Sequence, residues 1–401
     1  MAKRVSSPDY LTVPEVSRFT SRHGKVHVEV GDAADGRQEA ENANDYPPVP
    51  PAGAVPSKTL RTRSAIAVGG LAGNNAHGAG FLEALRRSGK VPQIVSCTSG
   101  QILHVAEWLK GTDLQVYFEN AMKQTQPFGE WTDANLIYKQ ISAGTQVIRP
   151  SVFEFPTDVI ANVGRSVSRA FTDPAHFSLL RELCNVQPAR SLVPAFPPDF
   201  YSDIAKVVDK SDVGVIFNAY DIEGGREYVY INGAARSLTG KSLGRHQTRS
   251  WIEYRPVTAE TVEQALYLYQ YGFNGNTKTV DGAYVRDVIL SEIPSEHNEI
   301  DRIAAVRPQP DNWLGEVPQS NVELQSLQTQ VAFNATYIGE RERIRLMNRL
   351  SGQFKGDTQP RPISILELPL CEPRTWWDYV VESDLIFSSA FWRGTELVNF
   401  L

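Results

Sequence analysis

The 401-residue sequence predicts an α/β protein: a mostly parallel central sheet with helices on both faces, three layers in all, interrupted by a helical insertion. Three observations carry that expectation. Short continuous apolar runs, SAIAV (64–68) and QIVSC (93–97), suit strands buried on both faces. Each is followed by a helix-patterned segment with a glycine stop, GAGFLEALRRSGK (78–90) and GQILHVAEWLKG (100–111). Strand, helix, strand, helix at this spacing predicts parallel strands joined by right-handed crossovers.

The remaining elements follow in order. Residues 1–60 read as a flexible arm. The stretch GDAADGRQEAENANDYPPVPPAGAVPSK is polar, acidic and then proline-rich, too poor in apolar surface to offset its ordering entropy. Within it VHVEV (26–30) alternates like a short strand. The folded body spans 61–401. Residues 112–200 carry aromatics and prolines (QPFGEW, IRPSVFEFP, LVPAFPPDFY) with helical stretches near 158–171 and 177–184, and read as an insertion, a lid over the sheet. DVGVIFNAYDIEGGREYVYING (212–233) is two strands about a Gly-Gly turn. TAETVEQALYLYQYG (258–272) is a helix with Thr258 as N-cap and Gly272 as stop. TKTVDGAYVRDVILSEI (277–293) is a strand, a tight Asp-Gly turn and a helix. EIDRIAAVRP ends in a core strand, RERIRLMNRL (341–350) is a basic amphipathic helix, and PISILELPL (362–370) is a late strand. The sequence has no internal repeat.

Composition narrows the function classes. Charged residues are 21% and apolar ones 41%, ordinary for a globular chain, and the net charge of −6 argues against nucleic acid as a partner. The three cysteines, Cys97, Cys184 and Cys371, are far apart and odd in number, which predicts neither a disulfide framework nor a zinc site and fits a reducing cytoplasm. No His, Cys and carboxylate cluster has metal spacing, so no metal or cofactor is expected. The first 25 residues hold no apolar h-region, and no apolar run is long enough to span a bilayer, so membrane contact is expected to be peripheral.

The chemistry concentrates at three places. A serine hydroxyl needs a base within reach and donors for a developing oxyanion. Ser99 sits in SC-TSG-Q, at a strand-to-helix turn, where its oxygen projects from the sheet edge beside free helix N–H groups. The plain alternative is a helix-capping serine, and the neighbours Cys97 and Gln101 stand where a nucleophile elbow has small residues. Upstream, VGGLAGNNAHGAGF carries glycines at 69, 70, 73, 78 and 80, which let backbone N–H groups turn toward an anion. No G-x-G-x-x-G register exists there. The one Gly-Lys-Ser (240–242) has Ala235 where a phosphate loop needs glycine, so neither nucleotide motif survives. Third, Asp281 ends a strand before Gly282, placed either as a general base or as an ordinary turn aspartate.

In this order and spacing, the GG at 69–70 with HGAGFLEAL, the CTSG at 97–100 and the DGA at 281–283 resemble the patatin-like phospholipase family. FNAYDIEGGREYVYING, EQALYLYQYGFNGNTKTVDGA and the terminal ESDLIFSSAFWRGTELV are similar as well, so the resemblance covers residues 63–401 apart from the insertion. It implies a three-layer α/β/α patatin-like fold and a lipid acyl hydrolase, a phospholipase A or esterase, acting through a Ser-Asp dyad and an acyl-enzyme. Ser99 would be the nucleophile and Asp281 the base. The N–H groups of Gly69, Gly70 and Gly100 would form the oxyanion hole, with a lipid or acyl ester as substrate. The chain departs from the family at Leu71, Gly73 and Asn74, where a glycine, a basic residue and a further glycine are usual. A degenerate, non-catalytic member used for binding or assembly is the alternative.

Other candidates are weaker. His297 follows Asp281 but lies in a polar loop, His104 is inside a helix and reads as a packed or surface histidine, and His77 lies near the glycine loop. Cys97 ends a strand and reads as buried. Residues 339–350 read as a solvated amphipathic helix, with anionic headgroups as its functional option. Trp376 and Trp377 read as core or interface residues.

Overall fold

Apolar residues occupy both faces of Ser64–Val68, and the chain buries both. Ile66 and Val68 enter one hydrophobic cluster, while Ala65 and Ala67 enter another. The computed structural model describes residues 19–21, 24–29, 48–51, 59–70, 75–124, 148–150, 154–174, 182, 192–194, 197–267, 278–307, 317–319, 321–351, 362–369 and 383–401.

In chain order the strands are β1 (Phe19–Ser21), β2 (Gly24–Glu29), β3 (Leu60–Arg61), β4 (Ser64–Val68), β5 (Lys90–Val91), β6 (Ile94–Cys97), β7 (Ile148–Pro150), β8 (Leu192–Pro194), β9 (Gly214–Asp221), β10 (Arg226–Ile231), β11 (Gly244–Arg245), β12 (Ile252–Pro256), β13 (Thr279–Asp281), β14 (Arg302–Arg307) and β15 (Ser364–Pro369). The helices are α1 (Ala76–Ser88), α2 (Gln101–Leu109), α3 (Leu114–Gln124), α4 (Glu154–Thr172), α5 (Pro198–Lys210), α6 (Gly233–Thr239), α7 (Ala259–Ala265), α8 (Asn321–Ser351) and α9 (Ser383–Leu397).

The fold is mixed α/β. Its main sheet runs β1-β2-β15-β14-β4-β6-β9-β10-β12-β11. The central block β15-β14-β4-β6-β9 is parallel, with antiparallel pairs toward both ends. One face packs against α1, α2, α5 and α7 through Phe81, Leu82, Val105, Val208 and Val262. The other packs against α6, α8 and residues 288–300 through Ala235, Ile344, Val288 and Ile300. Helices therefore cover both faces, compatible with three layers. Among the described residues no helix is long and apolar enough to cross a membrane.

Several expectations change. The strand expected at 26–30 is β2, and its pairing with β15 makes part of the 1–60 arm an antiparallel edge of the main sheet. Unpaired N–H and C=O groups along β15 are a ready template for such an added strand. The insertion at 112–200 lies within the crossover from β6 to β9, and both its ends belong to the body. Leu114 and Phe118 of α3 are buried near α1, and α5 leads into β9. The helix expected at 158–171 is α4. That near 177–184 falls outside the described residues except Glu182. The helix from Thr258 has its expected N-cap, a capping box with Thr261, but ends at Ala265, and Gly272 lies outside the described residues. The helix at 341–350 is the last part of the longer α8.

A larger correction concerns the segment after Asp281. A helix was expected; the chain instead makes one 3-10 turn, Gly282–Tyr284, and then runs irregularly to β14. Its backbone groups find partners elsewhere. The Ser96 hydroxyl donates to the Ile289 carbonyl (2.7 Å), and the Glu340 carboxylate accepts from the Leu290 and Ser291 N–H groups (2.9 and 2.8 Å). Buried backbone must be paired, and here side chains do what an i→i+4 ladder would have done.

Helices α1 and α9 approach closely because glycine faces glycine-sized space. A Cβ on Gly80 would collide with the Phe387 carbonyl, and one on Gly394 would lie 2.9 Å from the Ala84 methyl. Gly80→Ala should therefore destabilise the protein, although alanine favours helix by about 1 kcal/mol over glycine. Overpacking of about 1–3 kcal/mol should win, read as a lower denaturation midpoint at unchanged m-value.

Candidate active site

Strand register brings two distant residues together. β6 runs parallel along one edge of β9, from Ile94 opposite Gly214 to Ser96 opposite Ile216. β13 occupies the same edge further on, antiparallel, from Thr279 opposite Asp221 to Asp281 opposite Ala219. The C-terminal ends of β6 and β13 thus point at each other across about two residues of β9, some 7 Å at strand rise. Ser99 lies just past one end and Asp281 at the other. Their side chains meet: the Ser99 hydroxyl donates to the Asp281 carboxyl. The two are 182 positions apart in the chain.

The turn carrying Ser99 is sharp. Thr98 N–H still bonds the Val68 carbonyl (3.2 Å), continuing the sheet, while α2 begins at Gln101. Between them Ser99 adopts φ +56°, in the left-handed region. A non-glycine residue there costs about 1–2 kcal/mol, and such conformations gather at functional sites. The alternative of a capping serine does not hold. The N-cap of α2 is Gly100, no side chain caps that helix, and the Ser99 hydroxyl is turned to Asp281.

Asp281 is fixed from both directions. Its N–H donates to the Tyr267 carbonyl (2.7 Å), and its Oδ1 accepts from the Ala283 N–H (2.9 Å). It is 1% exposed, and Ser99 4%. Burial pushes the Asp281 carboxyl up to about 7, against the downward pull of the Ala283 N–H and the Ser99 hydroxyl. Such a carboxylate is a stronger base than an exposed one and shares a proton readily near neutrality.

The glycine loop behaves differently from expectation. Gly69 N–H donates to the Val306 carbonyl (2.8 Å), and Gly70 N–H donates to Thr98 Oγ1 (2.6 Å). Both amides expected to face an oxyanion are therefore engaged. Gly69 is tied to β14 because it continues the β4 ladder; Gly70 is tied because Thr98 lies directly beneath it. Gly100 N–H is different: it has no acceptor among the described residues and lies at the start of α2, where the helix dipole favours negative charge. Close packing explains glycine at 70, since a Cβ there would sit 2.5 Å from the Ser99 Cβ. Leu71, Gly73 and Asn74 lie outside the described residues.

Gln101, too large for the ideal elbow, finds room elsewhere. Its buried amide lies over Gly78 of α1, where any Cβ would collide with it, and its Nε2 donates to the Gly69 and Asn75 carbonyls (3.2 and 3.4 Å). Glycine at 78 thus does the work that glycine at 101 does in the ideal pattern. His77 donates to the same Gly69 carbonyl (2.8 Å), and burial holds it down to about 4, so it is a neutral structural partner. His104 packs edge-on against Tyr117, as expected, and His297 is an exposed loop residue beside Glu296. Cys97 is fully buried, and burial pushes its thiol well up, which removes it as a nucleophile. No group of His, Cys, Asp and Glu able to hold a metal occurs among the described residues.

Sequence reasoning missed the support behind Asp281. Arg286, fully buried, pairs with Glu227 of β10 (2.8 Å), with Glu292 (2.9 Å) and with Glu340 of α8 (3.5 Å). Asn218 of β9 donates to Glu227 (2.8 Å) and to the Gly282 and Arg286 carbonyls (3.2 and 3.3 Å). Burial pushes Glu292 up, but Arg286, Lys241 and Arg249 outweigh it and hold that carboxyl well below the usual range. In the sequence these residues look like ordinary surface charges; only their shared burial sets them apart.

No family model matches the chain, and no curated protein sequence matches it.

Arg286→Met should strand Glu227 as a buried charge, while Glu340 keeps Arg343 and the Leu290 and Ser291 N–H groups. The expected loss is about 3–5 kcal/mol of unfolding free energy, measured by denaturant titration. A loss below about 1 kcal/mol, the range of exposed pairs, would show that the cluster does not hold this segment.

Proposed function

We propose that the chain is a patatin-like lipid acyl hydrolase, of phospholipase A or esterase type, acting through a Ser99–Asp281 dyad. The observation that carries the reading is the hydrogen bond from a left-handed Ser99 to a buried Asp281 at converging strand ends. A strained nucleophile aimed at a raised carboxyl base is what acyl transfer requires and what a structural serine does not need.

In this reading Asp281 accepts the Ser99 proton as the oxygen attacks an acyl carbonyl. The oxyanion develops beside the free Gly100 N–H and the positive end of α2. Collapse expels the alcohol, which takes the proton from Asp281 and leaves an acyl-Ser99 ester. Water then attacks that ester with Asp281 again as base, releasing the fatty acid. One preorganised oxyanion donor contributes about 3 kcal/mol to such a transition state. The substrate is a lipid or other acyl ester, met by peripheral contact at a membrane surface, and a cytoplasmic setting fits the cysteine usage.

A second reading, a catalytically degenerate patatin-fold module for binding or assembly, is favoured by one specific observation. The Gly69 and Gly70 amides are tied to Val306 and Thr98. The two readings separate on p-nitrophenyl acyl esters and a fluorophosphonate probe. The hydrolase reading expects Ser99→Ala and Asp281→Asn each to lower kcat by at least ~10³-fold, with probe labelling in wild type and none in Ser99→Ala. Equal, low rates in all three proteins would overturn the hydrolase reading.

The pH dependence has a definite sign. Asp281 works deprotonated, and its carboxyl is raised to about 7. Activity should therefore rise with pH through about 7, not through about 4 as for an ordinary aspartate. A kcat/KM profile flat from pH 5 to 8 (about three units around that value) would contradict Asp281 as the base.

A further inference from the structure

Two non-glycine residues among the described ones hold a left-handed backbone, Asn75 (φ +50°) and Ser99 (φ +56°), and both adjoin Gly100. Ser99 precedes Gly100 in the chain. Asn75 reaches it through space: a Cβ on Gly100 would collide with Asn75 Nδ2 and lie 3.5 Å from Asn75 Cγ. The nitrogen is thus the end of that amide turned to Gly100, the residue whose N–H has no acceptor among the described residues.

Asn75 is the N-cap of α1, where an asparagine side chain ordinarily accepts from the first N–H groups of its helix. It makes no such bond here. Its main chain is held from two directions. The Asn75 carbonyl accepts from the Gly78 and Ala79 N–H groups of α1 (3.0 and 3.3 Å) and from Gln101 Nε2 of α2 (3.4 Å). The left-handed turn then carries the side chain over Gly100 instead of onto α1, and the residue is 3% exposed.

Two donors therefore lie side by side at the residue after the nucleophile. A primary amide nitrogen carries two hydrogens and accepts none, and a main-chain N–H carries one. An oxygen bearing negative charge satisfies both, and asparagine side chains serve as oxyanion donors in acyl transfer.

Resting on the reading of Ser99 as nucleophile, we propose that Asn75 is a catalytic residue: its side-chain amide is the second oxyanion donor, and with the Gly100 N–H it takes the place that the engaged Gly69 and Gly70 amides leave unfilled. As Ser99 Oγ bonds to the acyl carbon, the carbonyl electron pair moves onto oxygen, which receives hydrogen bonds from Gly100 N–H and Asn75 Nδ2. On collapse the pair returns to the carbonyl, the bond to the alcohol oxygen breaks, and that oxygen takes the proton held by Asp281. Gln101 gains a purpose in this arrangement. By donating to the Gly69 and Asn75 carbonyls (3.2 and 3.4 Å), it ties the donor to the helix that follows the elbow.

The test uses the full-length protein and a p-nitrophenyl acyl ester. Glycine takes a left-handed backbone without strain, so Asn75→Gly removes the amide and leaves the turn. Its kcat should fall about 10²–10³-fold with KM within about threefold. Asn75→Asp keeps the shape and replaces a donor by an acceptor, and should lose at least as much. Gly100→Ala keeps the backbone, which is helical at that position (φ −59°), but its Cβ displaces Nδ2. It should be similarly slow. In the double variant no amide is left to displace, so Gly100→Ala should cost less than about twofold beyond Asn75→Gly. Full kcat in Asn75→Gly, or losses that multiply in the double variant, overturn the proposal.

An inhibitor separates a donor from a residue that merely holds the loop. An alkyl trifluoromethyl ketone adds Ser99 Oγ to its carbonyl carbon and leaves a tetrahedral oxyanion. Its affinity should fall across the variants by the same factor as kcat/KM. Unchanged ketone affinity in Asn75→Gly overturns the proposal. The underlying reading fails separately. Fluorophosphonate labelling that is lost in Ser99→Ala, with full kcat in Asn75→Gly, keeps the nucleophile and removes Asn75. Equal hydrolysis by wild type and Ser99→Ala removes the nucleophile and this donor with it.

Discussion

One edge of β9 serves two strands, and the site depends on that division. β6 uses its first residues in parallel, and β13 uses its last residues antiparallel. Because the two run toward each other, their C-terminal ends must meet in the gap between. A strand end is where the chain leaves the ladder and can present a side chain, so a nucleophile position and a carboxylate position arise face to face. The opposite edge of β9 pairs with β10 from Ile216 to Asp221.

The gap needs filling, and polar groups fill it. Asn218 stands on β9 between the β6 and β13 pairings, and its amide takes up the Gly282 and Arg286 carbonyls. Arg286 then anchors the segment to β10 and α8 through buried carboxylates. Buried ion pairs add little net stability over an apolar replacement, but breaking one partner is expensive. Here the pairs act directionally. They hold an irregular segment in one course and so hold Asp281 in register with the elbow.

Close approach is the second constraint. Gly70 lies on Ser99, Gly78 makes room for Gln101, Gly100 faces the Asn75 amide, and Gly282 faces Asn218. A side chain at Gly70, Gly78 or Gly100 would push the elbow and α2 away from the glycine loop and α1, and one at Gly282 would push the Asp281 turn away from β9. The strain of a left-handed serine persists only because its surroundings leave no alternative, with the sheet on one side and α2 on the other.

The apolar runs and glycine stops determined the parallel block, α1, α2 and the β9–β10 hairpin, since burial on both faces and helix termination are local properties of sequence. Ser99 and Asp281 were readable as candidates from their places at strand ends. Their meeting was not, because it depends on which edge of β9 each strand takes, a choice made by pairing far along the chain. The irregular course after Asp281 was hidden for the same reason: VRDVILSEI has helical composition, and side chains of Ser96, Asn218 and Glu340 override it. The engagement of Gly69 and Gly70 was equally invisible, since glycine supplies an amide whose direction only the neighbouring strand and Thr98 decide. Burial decided the rest. It turned Asp281 from an ordinary acid into a carboxyl that holds a proton near neutrality, because a charge removed from water must find compensation or be given up.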